Sequence, residues 1–166
     1  MNIFKKFYCR SYQVVFKSLL PVLPYREPKL LKTVEDIVKV IKEDNKSSVL
    51  LVTDSGIFKL GLTQKLEGDL KESNIKVIVY SDTVANPTTR NVEEALKLYK
   101  DNNCDAIIAF GGGSAMDCAK GVGARIARPN KTLGQMKGVL KVRKKLPLLI
   151  AIPTTAGTGS ETTLAA

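Results

Sequence analysis

The sequence predicts an α/β fold: a Rossmann-like parallel sheet with helices on both faces. Three observations predict it. Short apolar runs of strand length recur at residues 49–53, 76–80, 106–110 and 148–152. Segments with apolar residues at helical spacing lie between them, namely Val34, Ile37, Val38 and Ile41, then Leu62, Leu66 and Leu70, then Val92, Ala95, Leu96 and Tyr99. Finally, Gly111, Gly112, Gly113 and Ser114 directly follow the third apolar run and precede a helix-forming segment. Strands alternating with helices require right-handed crossovers, and these give a parallel sheet covered on both sides.

Residues 1–29 read as a basic arm and a proline-rich connector. The apolar stretch of the arm is interrupted by Gln13 and Lys17 and no small-residue cleavage site follows, which argues against export or membrane spanning. The prolines of 21–28 exclude a helix or an interior strand there. Residues 30–166 read as one dinucleotide-binding domain. Thr33 and Asp36 have capping-box spacing at the start of the first amphipathic helix, which ends at Ser47 and Ser48. The first strand, 49–53, delivers Asp54 at its carboxyl end, and Gly56 marks the turn. A single helix is predicted over 57–71, with Asn74 near its stop, and a strand over 76–80. Residues 82–88 read as a loop containing Asn86 and Pro87, followed by a helix over about 89–102.

The third strand, 106–110, runs into the glycine turn. Without a Cβ, the backbone there can turn tightly and approach a bulky ligand, and Ser114 is positioned by sequence to cap the helix that follows. Strand, glycine turn and helix N-terminus in this order make a phosphate cradle or an ordinary tight turn. The spacing is not the G-x-G-x-x-G fingerprint, since Met116 stands at the third glycine position. The last strand, 148–152, leads into a second small-residue turn rich in hydroxyls. All the notable elements then fall at the carboxyl ends of strands, where ligands bind in such sheets.

From the residues alone, Asp54 either accepts hydrogen bonds from both hydroxyls of a ribose, favouring NAD over NADP, or simply caps the next helix. Thr154, Thr155, Thr158 and Ser160 offer hydroxyls to a sugar or phosphate. Asp117 and Lys120, three apart, either pair on the helix or leave one of them facing the ligand. The chain has 166 residues, a net charge of +10 and no histidine, so it lacks the commonest general base and metal ligand. Cys9, Cys104 and Cys118 suit neither a disulfide framework nor a zinc knuckle and point to a cytoplasmic location. Residues 125–146 carry eight Lys or Arg and no acid, and read as a solvated loop or, in a rival reading, a nucleic-acid-binding surface. No aromatic side chains are interleaved there to stack on bases, so no nucleic-acid partner is expected. No catalytic and no metal-ligating residue is identified.

The stretches LVTDSGIFKLGL, NPTTRNVEEALKLYKDNNCDAIIAFGGGSAMDCAK and IPTTAGTGSETT, in that order, resemble the iron-containing (group III) alcohol dehydrogenases over residues 30–166. The resemblance implies an N-terminal domain of the dehydroquinate synthase type. It implies NAD contacts at Asp54, Asn86, Gly111, Gly112, Gly113, Ser114, Thr154, Thr155, Thr158 and Thr163. Asp117 and Ser160 join them as candidates from the residue reading. In that family an all-helical second domain supplies the ligands of a divalent iron or zinc. No residue here matches those ligands, so the chain is expected to be the NAD-binding half of an enzyme moving a hydride between a small alcohol or aldehyde and the nicotinamide. Alone, it is expected to be inactive, with homo-oligomers possible. The alternative is a non-catalytic nucleotide-binding module.

Overall fold

The computed structural model describes residues 10–11, 28–138 and 141–156. Chain contacts divide it into two units, Met1–Leu30 and Leu31–Ala166. In the second unit, α1 (Val34–Glu43) leads into β1 (Ser48–Asp54), followed by α2 (Ser55–Lys59) and α3 (Gln64–Glu72). Next come β2 (Lys76–Thr83), α4 (Thr89–Asp101), β3 (Ala106–Gly111), α5 (Gly113–Ala127), a 3-10 turn (Gly134–Met136) and β4 (Leu148–Pro153). The capping box expected for α1 is present, with Asp36 N–H donating to Thr33 Oγ1 at 3.2 Å and Thr33 N–H to Asp36 Oδ2 at 3.2 Å.

The sheet has four parallel strands in the order β2-β1-β3-β4. β1 is buried on both faces, as its run of apolar residues requires. Leu50, Val52, Ile107 and Ala109 face Val92, Leu96, Cys118 and Val122 of α4 and α5. Val49, Leu51 and Ile108 face Ile37, Ile41, Leu66 and Leu70 of α1 and α3. The connection leaving β1 therefore covers one face and the helix leaving β3 covers the other, so the chain changes direction between these adjacent strands. Their carboxyl ends form the topological switch point, the place where open α/β sheets hold ligands.

Two boundary expectations are corrected. The single helix over 57–71 is two, because Gly61 turns back at φ +69 between them and leaves Leu62 exposed. β2 runs on to Thr83, into the segment expected to be loop, because a bulge opposite β1 shifts the register from Val52 with Tyr80 to Asp54 with Thr83. No helix among the described residues is long and apolar enough to cross a membrane.

Candidate functional site

At the switch point β1 presents Asp54. Its Oδ1 accepts the backbone N–H groups of Gly56 and Ile57, both at 2.9 Å, so the carboxylate caps α2. Oδ2 takes no part in those bonds and lies 3.7 Å from the position a Cβ on Gly111 would occupy. The capping role read from the sequence is therefore real, and it leaves one carboxylate oxygen turned toward the glycine turn.

Gly111 ends β3 at φ +154, and a Cβ there would stand 2.9 Å from Ala115 Cβ and 3.4 Å from Ile57 Cδ1. No other residue fits without moving the helix. Gly112 is the N-cap of α5, and no side chain caps that helix. This corrects the expectation for Ser114, which lies inside the first turn beside Gly113 and so past the position from which a hydroxyl caps. Among the described residues, no side chain caps the first N–H groups of α5, at the positive end of its dipole.

The loop after β4 closes on this turn. Thr154 N–H donates to the Gly111 carbonyl at 3.0 Å. Thr155 Oγ1 lies 3.2 Å from where a Cβ on Gly112 would be, and both threonines are exposed. Asn86 is exposed on the loop after β2, in the left-handed conformation at φ +56, and no hydrogen bond among the described residues joins it to this group. Asp117 stands in α5 with its Oδ1 3.8 Å from Lys120 Nζ, a lysine whose side chain is 14% exposed. The structure thus brings together Asp54, Gly111, Gly112, Thr154 and Thr155. Thr158, Ser160 and Thr163 lie outside the described residues.

Three residues escaped the sequence reading. Asn91, 7% exposed, hydrogen-bonds across the loop that carries Asn86, and the spacing of Thr88 to Asn91 as a capping box was the available signal. Arg125 joins α5 to Glu93 of α4 at 2.7 Å and donates to the carbonyls of Pro129 and Lys131. Arg128 donates to the Val142 carbonyl at 2.6 Å, so the basic segment is pinned by two of its own arginines and is not simply solvated. β4 begins opposite Ala106, which puts this segment at the amino edge of the sheet, away from the glycine turn.

Cys104 and Cys118 are buried. Burial pushes the Cys118 thiol up to about 11 and raises that of Cys104, so neither is a ready nucleophile. Among the described residues no group of three His, Cys, Asp or Glu side chains is placed to hold a metal ion.

The sequence profile of the family described as "Iron-containing alcohol dehydrogenase" matches residues 30–166. The chain is 44% identical over 128 residues to "Alcohol dehydrogenase 4" of Schizosaccharomyces pombe, a match covering 77% of this chain and 30% of that protein. The fold resembles the solved alcohol dehydrogenase from Oenococcus oeni, with a TM-score of 0.72, 34% identity and coverage of 77% of this chain and 34% of that one. It also resembles a sulfoacetaldehyde reductase from Bifidobacterium kashiwanohense solved in complex with NAD+, with a TM-score of 0.64, 29% identity and coverage of 78% and 34%. The chain spans about a third of the length of the relatives it matches.

Proposed function

The chain belongs to the iron-containing alcohol dehydrogenase family, and from that premise we propose that residues 30–166 bind NAD at the switch point, as the cofactor-binding domain of an enzyme acting on an alcohol or aldehyde. The observation that carries this reading is the convergence of Asp54, the Gly111 turn and Thr154 at one edge. A Cβ on Gly111 would meet Ala115 Cβ at 2.9 Å and lie 3.7 Å from Asp54 Oδ2, so it is glycine that lets the turn pass this close to α5 and to Asp54. The nicotinamide, when bound, supplies the hydride acceptor or donor.

Every other role belongs to the chain's own groups. The N–H groups at Gly113 and Ser114, which no side chain among the described residues caps, offer donors to the pyrophosphate, which the helix dipole favours there. Asp54 Oδ2, with Oδ1 already fixed by the cap, accepts from ribose hydroxyls and repels a 2′-phosphate, so NAD is favoured over NADP. Thr154 and Thr155 present hydroxyls beside the turn. Asn86 extends the site along the edge toward β2. Asp117, paired with Lys120 one helical turn in, is the candidate with the weakest claim on the ligand. Thr158, Ser160 and Thr163 complete the proposed set.

The family description implies iron, but the described residues do not fit a metal, and neither iron nor zinc is assigned to them. The sequence has no histidine, the commonest general base, and no catalytic residue is assigned among the described residues. This favours, as a second reading, nucleotide binding without turnover by the chain alone.

Isothermal titration with NADH and NADPH, alongside an assay for alcohol-dependent NADH formation, tests both. The expected result is saturable binding that favours NADH and no turnover. Preference for NADPH contradicts the role given to Asp54, and turnover contradicts the assignment of no catalytic residue.

A further inference from the structure

The loop that carries Asn86 runs from the end of β2 at Thr83 to Thr88, the N-cap of α4, and one buried side chain ties the end of the strand to that cap. Asn91 Nδ2 donates to the Asp82 carbonyl at 2.9 Å, in β2 one residue before the strand ends. Asn91 Oδ1 accepts Thr88 N–H at 3.1 Å, where the loop ends, and the Thr88 hydroxyl at 3.0 Å. The amide orientation is fixed by its partners, because a backbone carbonyl can only accept and a backbone N–H can only donate. Behind it, Asn91 Nδ2 also donates to Tyr80 Oη at 3.0 Å, and that hydroxyl donates to Glu94 Oε2 at 3.0 Å. Glu94 Oε1 in turn accepts Arg90 Nε at 2.6 Å. The clamp is therefore anchored to β2 and to the first two turns of α4.

Asn86 itself is held by no hydrogen bond among the described residues and sits at φ +56, a left-handed conformation that asparagine adopts more readily than most L-residues, so its presentation depends on how the loop's ends are held. We propose that Asn91 is a positioning residue for cofactor binding, fixing the span of the loop so that Asn86 is presented at the carboxyl edge before the ligand arrives. This rests on the reading of that edge as an NAD site. Asn91 touches no ligand in this account. Its contribution is preorganisation: a loop whose ends are set does not have to be ordered when the ligand binds.

The test is a double-mutant cycle on the full chain, read as NADH affinity. Asn91→Asp keeps an acceptor for Thr88 and sets a second oxygen against the Asp82 carbonyl, which it can no longer satisfy. We expect Asn91→Asp and Asn86→Ala each to weaken NADH binding about five- to tenfold, the scale of one lost hydrogen bond. The double variant should bind no worse than Asn86→Ala alone, since residues acting as one unit are not additive. In the ligand-free chain, Asn91→Asp should shift the backbone amide resonances of Ala85 and Asn86 and leave those of Gly111, Gly112 and Gly113 in place. Should Asn91→Asp fail to fold, Asn91→Ser, too short to span to Asp82, carries the same cycle with the same expectations. Additive losses, or an unchanged affinity in either Asn91 variant, overturn the positioning role while leaving the site intact. Absence of NADH binding by the parent chain overturns the cofactor reading, and this inference falls with it.

Discussion

Gly111 and Asp54 decide the candidate site at the scale of single residues. A methyl group on Gly111 meets Ala115 Cβ at 2.9 Å in a backbone conformation that L-residues rarely adopt. Gly111→Ala is therefore expected to cost about 1–3 kcal/mol in urea unfolding and to abolish NADH binding. Asp54→Asn retains an oxygen for Gly56 and Ile57 N–H, so stability should change by less than about 1 kcal/mol. The lost charge should lower the preference for NADH over NADPH roughly tenfold in parallel titrations. A large loss of stability with an unchanged preference would make Asp54 a cap and nothing more. Asp54 and the glycine turn were legible because a carboxylate and adjacent glycines after apolar runs are local signals. The cap of α5 was not, because it depends on which residue is the last in the extended conformation; that is Gly112, and Gly113 is already helical before Ser114 is reached.

At the scale of elements, three helix-to-strand joints are built alike. Asn45, Asn74 and Asn103 follow α1, α3 and α4 in the left-handed conformation, at φ 52, 60 and 52. Behind them Lys46, Ile75 and Cys104 donate back to the carbonyls of Ile41, Leu70 and Tyr99, each at 2.9 Å. Asn103→Ala should cost about 1 kcal/mol, whereas Asn103→Gly should be neutral or stabilising, as thermal melts of the two variants would establish. The crossing of α4 and α5 is as tight, since a Cβ on Gly121 would lie 2.8 Å from Val92 Cγ2. Gly121→Ala should destabilise by about 1–3 kcal/mol, and adding Val92→Ala should recover part of that loss. Helical spacing revealed which faces are buried, and Leu66 and Leu70 are indeed buried. It could not reveal the break at Gly61, because Leu62 continues the apolar period although the chain has already turned, and it is 53% exposed.

For the whole molecule, the parallel alternation was legible but the order β2-β1-β3-β4 was not, because which strands become central is set by packing between distant segments. That order places the Asp54 loop beside the glycine turn. Buried acids also give the fold a pH limit. Burial pushes the Cys118 thiol from 9.0 up to about 11, and burial does the same to the hydroxyls of Tyr80 and Tyr99, from 10.0 up to about 12. The folded chain holds these protons more tightly than the unfolded chain. Their contribution to stability is complete below about pH 9 and is lost as the pH rises from there through about 11 and 12. Denaturation midpoints should fall across that window, and less steeply between about pH 9 and 11 in Cys118→Ala. The central claim, that loops of four parallel strands form one dinucleotide site at the switch point, is tested most directly by titrating NAD into the isotopically labelled chain and following each backbone amide. Saturable shifts are expected, confined to residues 54–57, 85–86, 111–117 and 154–163. Saturation that leaves residues 111–115 unmoved, or shifts centred on the basic segment 125–146, would contradict it.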